Sequence, residues 1–258
     1  MTEFPTGIGT SDLHDISLLG QPIQDMMRTV GFGELAFWLA AGRRPSSGET
    51  RLFEAVLVSL ADHGFTPTAI AARLTLYSAP DSIQGAIAAG LLGGGSRFLG
   101  VTEDTAKFLA ATIGGLIEIP VDETGWDAVA LAAVTKARAA GTFVPGLGHP
   151  VHKEGDPRTP VIFEIAQEAG VLGPHLSLFG AIGRVHPQVL GRALPLNGAG
   201  VGGAALADLG LPIDLIRGFA LLARTAGLVG QLAEETRTPV APDIYHLVDR
   251  NAVYRATH

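Results

Sequence analysis

The chain has 258 residues, of which 47% are hydrophobic and 17% are charged, so it predicts a packed globular protein and excludes a disordered one. The formal net charge of −7 has no offsetting run of Lys or Arg, which argues against a nucleic-acid or acidic-membrane partner. Because cysteine is absent from the sequence, disulfides, thiolate nucleophiles and Cys-ligated metals are excluded.

Signals for export or membrane insertion are missing from the sequence. Residues 1–12 have neither the basic nor the apolar region of a signal peptide. The longest apolar stretches, 82–96 and 193–207, are rich in glycine and shorter than the roughly 20 residues that a membrane span needs. We therefore expect a cytosolic protein.

Helical periodicity dominates the chain. The first predicted helix, 22–41, has proline in its first turn and Gly42 after its end. The second, 50–62, carries an apolar face at helical spacing. A short extended piece is predicted at 192–196, and strand-like alternation is otherwise nearly absent. Further helices are predicted at 67–77, 82–92, 104–113, 126–140, 160–169, 176–185, 200–209 and 213–235.

The most specific pattern is VPGLGHPVHKEGDPR, which runs from Val144 to Arg158. Its glycines let backbone N–H groups approach a ligand closely. An imidazole at His149 and a guanidinium at Arg158 suit a carboxylate or carbonyl ligand. A histidine after a glycine-rich turn is by itself more often structural, so the prediction depends on the whole string.

Two shorter patterns also contain ionisable groups. The string ADHG at 61–64 follows an apolar helix, and by itself it indicates a helix end with His63 beside a glycine. The string LARTAGLVG at 222–230 places Arg224 among small residues. An arginine on an apolar helix can extend its head to solvent, whereas a buried one needs an anionic partner.

These strings resemble the citrate synthase superfamily, in which a P-G-x-G-H loop before D-P-R, an A-D-H-G element and an arginine in the last long helix occur in this order. The resemblance implies that His149 and His63 contact the keto-acid or hydroxy-acid part of the substrate. It implies that Arg158 and Arg224 bind carboxylates. It also implies that the coenzyme A adenine meets the backbone of Val144, Pro145, Gly146, Leu147 and Gly148.

Weaker matches extend the resemblance over almost the whole chain. LGQPI at 19–23 is similar to an element near the family's N-terminus, and GSRFLG at 95–100 resembles the citryl-CoA lyase branch. Citrate synthases carry a catalytic histidine where Phe98 stands, so no imidazole at this position can polarise a thioester carbonyl. We expect Arg97 and Phe98 to contribute to substrate binding.

The chain departs from the family where an N-V-D-G element supplies the acid/base at the acetyl carbon. An ungapped alignment puts Ala199 at the aspartate position, and an alignment shifted by two puts Asn197 there. Neither side chain exchanges a proton near neutral pH, although Asn197 is a candidate for binding an oxyanion. Asp208 matches a non-catalytic position. Near the C-terminus only Arg237 lies close to a family carboxylate-binding arginine, so we expect a substrate with one carboxylate fewer than citrate.

Two patterns imitate other kinds of site. GAGVGG at 198–203 fits G-x-G-x-x-G, but the preceding extended piece is short and contains Pro195, so we expect no NAD site. The spacing of His149 and His152, with Asp156 nearby, resembles that of the ligands in a metal site. The sequence offers no third ligand at a recognised spacing, so we expect no metal.

The sequence thus predicts an all-α, citrate synthase-like fold with a large domain at about 1–100 and 206–258, a small domain at about 101–205, and the active site between them. The favoured reaction is cleavage of a 3-hydroxyacyl-CoA such as citryl-CoA into acetyl-CoA and a 2-keto acid such as oxaloacetate, or the reverse condensation. Two alternatives stay open: an acyl-CoA-binding protein without carbon–carbon chemistry, and a lyase or thioesterase for another hydroxyacyl-CoA. The resemblance also implies a homo-oligomer, either a dimer or a multiple of dimers.

Overall fold

The computed structural model describes residues 2–256, which fold almost entirely into helices. Three short strands, β1 (Gly9–Ser11), β2 (Ile16–Leu18) and β3 (Gln21–Pro22), form an antiparallel sheet in the order β1-β2-β3. No helix within 2–256 has both the length and the apolar character that crossing a membrane requires. The α-helices in this range are α1 (Ile23–Thr29), α2 (Phe32–Ala41), α3 (Ser47–Ala61), α4 (Pro67–Ser78), α5 (Ile83–Leu92), α6 (Gly100–Gly114), α7 (Glu123–Ala139), α8 (Arg158–Glu168), α9 (Pro174–Leu190), α10 (Gly198–Asp208), α11 (Ile216–Glu235) and α12 (Ala241–Arg250), with a 3-10 turn at Ile213–Leu215.

The all-α prediction is confirmed, and one local prediction is wrong. The helix predicted at 22–41 is two helices, because Val30 and Gly31 are both extended and Gly31 is the N-cap residue of α2. The helix predicted at 213–235 starts with the 3-10 turn. The extended piece at 192–196 makes only one isolated bridge, between Leu147 and Leu196. The short strands β1–β3 and helix α12 were not predicted, since none of them has a long periodic pattern.

The core is organised around α10, whose glycines and alanines let neighbouring helices approach its axis closely. Every residue of α10 except Ala199 and Asp208 is buried or nearly so, and the helix packs against α3, α6, α8 and α9. The main hydrophobic cluster draws on residues from both 1–100 and 101–205. A smaller cluster joins α4, α5 and α11. The division into a large and a small domain stays a prediction. It concerns how 101–205 moves relative to the rest of the chain.

A buried arginine joins α4 to α11 beneath the smaller cluster. Arg73 is fully buried and donates hydrogen bonds to Gln231 (2.8 Å), Glu235 (2.7 Å) and Glu234. Its guanidinium also lies over the Phe65 ring, 5.0 Å from the centroid. Because buried charges are costly unless they are paired, this network holds the middle of α4 against α11.

The close crossing of α11 over the end of α3 depends on Gly227. A Cβ atom at this position would overlap the Ala61 carbonyl oxygen and lie 2.7 Å from the carbonyl carbon. These atoms are backbone, so they cannot move aside as the end of a side chain could. The crossing brings Arg224, one helical turn earlier, against the segment that follows α3.

We predict that Gly227→Ala lowers the free energy of unfolding by about 1–3 kcal/mol, the usual cost of overpacking a tight contact. Gly230→Ala is the matched control on the same helix, because an added Cβ there meets no atom within 4 Å. The control should gain about 0.5–1 kcal/mol, since alanine is the better helix former. Urea unfolding measures both variants, and equal stabilities would contradict the close crossing.

Candidate active site

A cavity of about 730 Å³ opens among the end of α3, the starts of α4, α6 and α10, the middle of α11 and the loop at 143–151. The fold brings every site residue predicted from the sequence to the wall of this one cavity. The contacts of each residue with its neighbours show which groups are free to act on a ligand. The predicted residues on the wall are His63, Arg97, Phe98, Val144, Pro145, Gly146, Leu147, Gly148, His149, Arg158, Asn197 and Arg224.

The glycine-rich loop is held against the segment that leads into α10. Asn197 donates its backbone N–H to the Gly146 carbonyl (2.9 Å), and Gly148 donates its N–H to the Pro195 carbonyl (2.7 Å). The Leu147–Leu196 bridge lies between these two bonds. The loop is therefore fixed at both ends, and its shape does not depend on a ligand.

Asp156 is the anchor at the far end of the same loop. Its carboxylate is 4% exposed, and it accepts hydrogen bonds from Arg158 Nε (2.9 Å), Arg158 Nη2 (2.7 Å), the Arg158 N–H (3.1 Å) and the Gly198 N–H (2.7 Å). Burial favours a raised pKa for Asp156, but the bonds from Arg158 and Gly198 outweigh it and hold the pKa well below its usual range. A Cβ at position 198 would overlap the Arg158 guanidinium, so this contact requires glycine.

Arg158 is a neutralised cation with spare donors. Two of its nitrogens bond Asp156, and Nη1 donates to the Ser59 carbonyl (3.1 Å). A guanidinium has five N–H donors, so two remain to bind a ligand in the cavity. Because Asp156 balances its charge, Arg158 contributes little net attraction for an anion. Its remaining N–H donors instead orient the anion through hydrogen bonds.

Arg224 is a buried cation without a balancing anion. It is 5% exposed, and it donates to the Thr66 hydroxyl (3.2 Å) and the Leu60 carbonyl (3.4 Å). Within residues 2–256, its Nε atom has no hydrogen-bond partner and the guanidinium forms no ion pair. Burial lowers the pKa of Arg224, with the Asp62 charge opposing this effect and Arg158 adding to it. Since an unpaired buried charge is costly, this arrangement favours an anionic ligand.

His149 presents a hydrogen-bond donor to the cavity. Its Nδ1 accepts the backbone N–H groups of His152 (2.9 Å) and Val151 (3.1 Å), so the neutral ring carries its proton on Nε2. Burial, and next the neighbouring His152, lower the pKa of His149, which keeps the ring neutral at physiological pH. His63 stacks on this ring with centroids 5.3 Å apart, and its nitrogens bond no other residue of the described chain.

Three histidines meet at this point, although the sequence spacing offers only two. Nitrogen atoms of His63, His149 and His152 lie within 4.8 Å of one another, because the end of α3 supplies the third ring. A metal would need a nitrogen lone pair from each ring. In this tautomer the Nε2 atom of His149 carries a proton and its Nδ1 already accepts two amides. The geometry therefore favours a donor role for His149 over metal binding.

The segment in place of the family's N-V-D-G element provides no acid. Asn197 Oδ1 accepts the Gly200 N–H (2.8 Å) and caps α10, while its Nδ2 donates to the Gly148 carbonyl (2.7 Å). These contacts favour a structural role for Asn197, and its predicted catalytic role stays a prediction. Ala199 lines the cavity with only a methyl group. Asp208 caps the start of α9 and is absent from the cavity wall.

Sequence reasoning missed several groups beside these residues. Asp104, on the second turn of α6, lines the cavity three residues after Val101, and none of the sequence motifs described above includes it. A second cavity of about 350 Å³ shares the 143–144 and 147–148 backbone with the first. Arg138 and Arg192 line this second cavity, and they lie too far apart in the sequence to form a motif.

Comparison with known proteins identifies the family to which this fold belongs. The family model "Citrate synthase, C-terminal domain" matches residues 10–242. The chain belongs to the citrate synthase family. This match confirms the resemblance that the sequence motifs indicated, and it covers most of the chain. No curated protein matches the chain.

Solved structures of the same fold include enzymes that act on CoA compounds. Citryl-CoA lyase from Hydrogenobacter thermophilus is 27% identical with a TM-score of 0.85, over 99% of this chain and 95% of that chain. ATP citrate lyase from Methanosaeta concilii, an aspartate-to-alanine variant in complex with (3S)-citryl-CoA, is 22% identical with a TM-score of 0.78, over 100% and 42%. Citrate synthase from Pyrobaculum aerophilum is 22% identical with a TM-score of 0.63, over 89% and 53%. The latter two show the fold alone.

We predict that Asp156→Asn lowers the free energy of unfolding at pH 7 by about 3 kcal/mol, because it leaves Arg158 without its partner. Since the folded-state pKa of Asp156 is depressed, its stabilisation is present above the ordinary value of 3.8 and is lost as the pH falls below it. The difference between wild type and variant should therefore be constant from pH 7 to about 5 and narrow below about 4. Urea unfolding at several pH values measures it, and a difference that grows on acidification would contradict the pairing.

Proposed function

We propose that this protein cleaves a 3-hydroxyacyl-CoA such as citryl-CoA into acetyl-CoA and a 2-keto acid such as oxaloacetate, or catalyses the reverse condensation. The main support for this proposal is Arg224. This buried cation has no balancing anion, so it favours the binding of an anionic ligand in the cavity. Arg158 and the His149 donor line the same cavity. Similarity to a citryl-CoA lyase over almost the full length of both chains supports this choice of substrate class.

The two arginines would hold the carboxylates of the hydroxy acid. Arg224 attracts a carboxylate through its net positive charge. The two spare N–H donors of Arg158 orient a carboxylate through hydrogen bonds. The substrate hydroxyl would then lie at the histidine pair, with His149 Nε2–H donating to its oxygen. His63, whose nitrogens are unengaged within the described chain, is the group placed to accept the hydroxyl proton.

Cleavage would proceed by collapse of the alkoxide. As the hydroxyl proton leaves for His63, the carbon–carbon bond electrons move to the α-carbon and form the thioester enolate, while the alkoxide becomes the ketone. The His149 donor stabilises the negative oxygen before collapse, as an oxyanion-binding donor does. The enolate carbon then takes up one proton to give acetyl-CoA.

The second cavity supports coenzyme A as the carrier of the acyl group. Its wall is continuous with the glycine-rich loop, and Arg138 and Arg192 add two guanidinium groups there. A guanidinium binds phosphate oxygens through paired N–H groups. Phosphates of a CoA molecule whose thioester enters the main cavity would thus meet cations along the same loop.

We further propose a homo-oligomer. Helix α12 exposes Tyr245, Leu247 and Val248, with Leu247 and Val248 each 67% exposed, and a second copy would bury this apolar surface. The location in the cytosol stays a prediction.

A second candidate function is an acyl-CoA-binding protein of the same fold without carbon–carbon chemistry. Ala199 favours it, because the methyl group cannot exchange the proton that the enolate carbon requires. The uncompensated Arg224 favours the lyase, since a binder of a simple acyl thioester has no need of a buried carboxylate anchor. A lyase or thioesterase for another hydroxyacyl-CoA also stays open.

We predict that the wild-type protein releases oxaloacetate from (3S)-citryl-CoA, followed with a coupled NADH-consuming dehydrogenase. His149→Ala should lower kcat by roughly 10²- to 10³-fold, the usual effect of removing an oxyanion-binding donor. His14→Ala is the matched control, because His14 is exposed in the loop between β1 and β2 and is not among the residues that line the cavity. It should keep the wild-type rate.

Other outcomes separate the candidates. Equal rates for wild type and His149→Ala would contradict the role of the histidine. If the wild type releases no oxaloacetate and the Ala199→Asp variant does, the binding protein is favoured. The wild-type cavity would then lack only the acidic side chain that catalysis needs. Silence of both would contradict citryl-CoA as the substrate.

A further inference from the structure

The reaction proposed above needs a proton donor at the α-carbon of the thioester. Neither Ala199 nor Asn197 can fill this role, because one is a methyl group and the other is an amide engaged as the cap of α10. General acid/base catalysis typically contributes about 10²- to 10⁴-fold in rate. Another group on the wall of the cavity is therefore required if the protein turns over.

The ionisable side chains on the cavity wall narrow the choice. Arginines stay protonated at all relevant pH values, so they cannot exchange the proton. His63 and His149 stack on each other, and the proposed reaction assigns both of them to the hydroxyl oxygen of the substrate. Among the lining residues of the described chain, Asp104 supplies the one carboxyl group.

Helix α6 directs Asp104 into the cavity. Val101 and Asp104 lie three residues apart in α6 and both line the wall, and Arg97 and Phe98 line it from the turn before the helix. The neighbouring Glu103 faces elsewhere, since it pairs with Lys107 (2.5 Å) and Arg217 (2.6 Å). Asp104 forms no ion pair or hydrogen bond through its side chain with any residue in 2–256 and is only half-buried. Its carboxyl group is thus uncommitted.

We propose that Asp104 is the catalytic acid/base at the α-carbon of the thioester, in place of the aspartate that is absent at position 199. This role rests on the proposed function. In condensation, the Asp104 carboxylate removes a proton from the acetyl methyl group, so a C–H bond breaks, an O–H bond forms and the enolate results. In cleavage, protonated Asp104 returns that proton to the enolate carbon, and its carboxylate regains a proton from solvent as His63 releases the hydroxyl proton.

The role is tested with Asp104→Asn, which keeps the shape of the side chain and removes its acidity. Two readouts are used: oxaloacetate release from (3S)-citryl-CoA, and exchange of the methyl hydrogens of acetyl-CoA with D2O in the presence of oxaloacetate. Both rates should fall by about 10²- to 10⁴-fold, while Asp104→Glu keeps part of them. The affinity for coenzyme A, measured by calorimetry, should stay at the wild-type value. Asp81→Asn, at an exposed position before α5, is the control and should keep both rates.

A double variant adds an independent test. Asp104→Asn combined with Ala199→Asp places a carboxyl group at the family's position, and it should recover exchange that Asp104→Asn has lost. Full wild-type rates in Asp104→Asn would overturn the role of Asp104 while leaving the proposed function in place. A wild type that neither cleaves nor exchanges would overturn the proposed function, and the role of Asp104 with it.

Discussion

The site depends first on the Asp156 carboxylate. This buried group receives four hydrogen bonds, three from Arg158 and one from the first N–H of α10. It therefore joins the end of the glycine-rich loop, the start of α8 and the start of α10 at one point. Arg158 can face the cavity only because Asp156 fixes its guanidinium plane, and glycine at position 198 leaves the space for it.

The two arginines of the cavity have different electrostatic roles. Arg158 forms a neutral pair with Asp156, whereas Arg224 keeps a net charge in a buried setting. A preorganised cation of this kind binds a carboxylate strongly, because it has already lost its own hydration. The neutral His149 ring lies near these charges and adds a donor without adding repulsion. These groups line the same cavity as the apolar side chains of Phe98 and Val101.

Much of the site could be predicted because its residues lie in contiguous strings. Two of these strings are the loop from Val144 to Arg158 and the Asp62–His63 pair. Within each string, the local backbone geometry fixes how far apart the side chains lie. The cap role of Asn197 was also within reach, since asparagine before a glycine-rich helix is a common N-cap. The capping bond to the Gly200 N–H occupies the side-chain oxygen that an oxyanion role would leave unused.

Other features depend on tertiary contacts and had no local signal. The break between α1 and α2 lies in an apolar run that predicts one helix, and only the extended residues Val30 and Gly31 separate them. His63, which follows α3, lies beside His149 and His152 only in the folded chain, since 86 residues separate it from His149. In the sequence, Asp104 is indistinguishable from other acidic residues on helices. Only the fold shows that its face of α6 lines the cavity.

The central claim is that one cavity holds a carboxylic acid and a CoA thioester at the same time. Calorimetric titration of a CoA thioether analogue, with and without saturating oxaloacetate, tests it most directly, with Arg224→Met beside the wild type. The account predicts that oxaloacetate tightens analogue binding to the wild type by roughly 5- to 150-fold, the usual range of coupling between sites, and that Arg224→Met abolishes the effect. Equal affinities for the analogue with and without oxaloacetate in the wild type would contradict it.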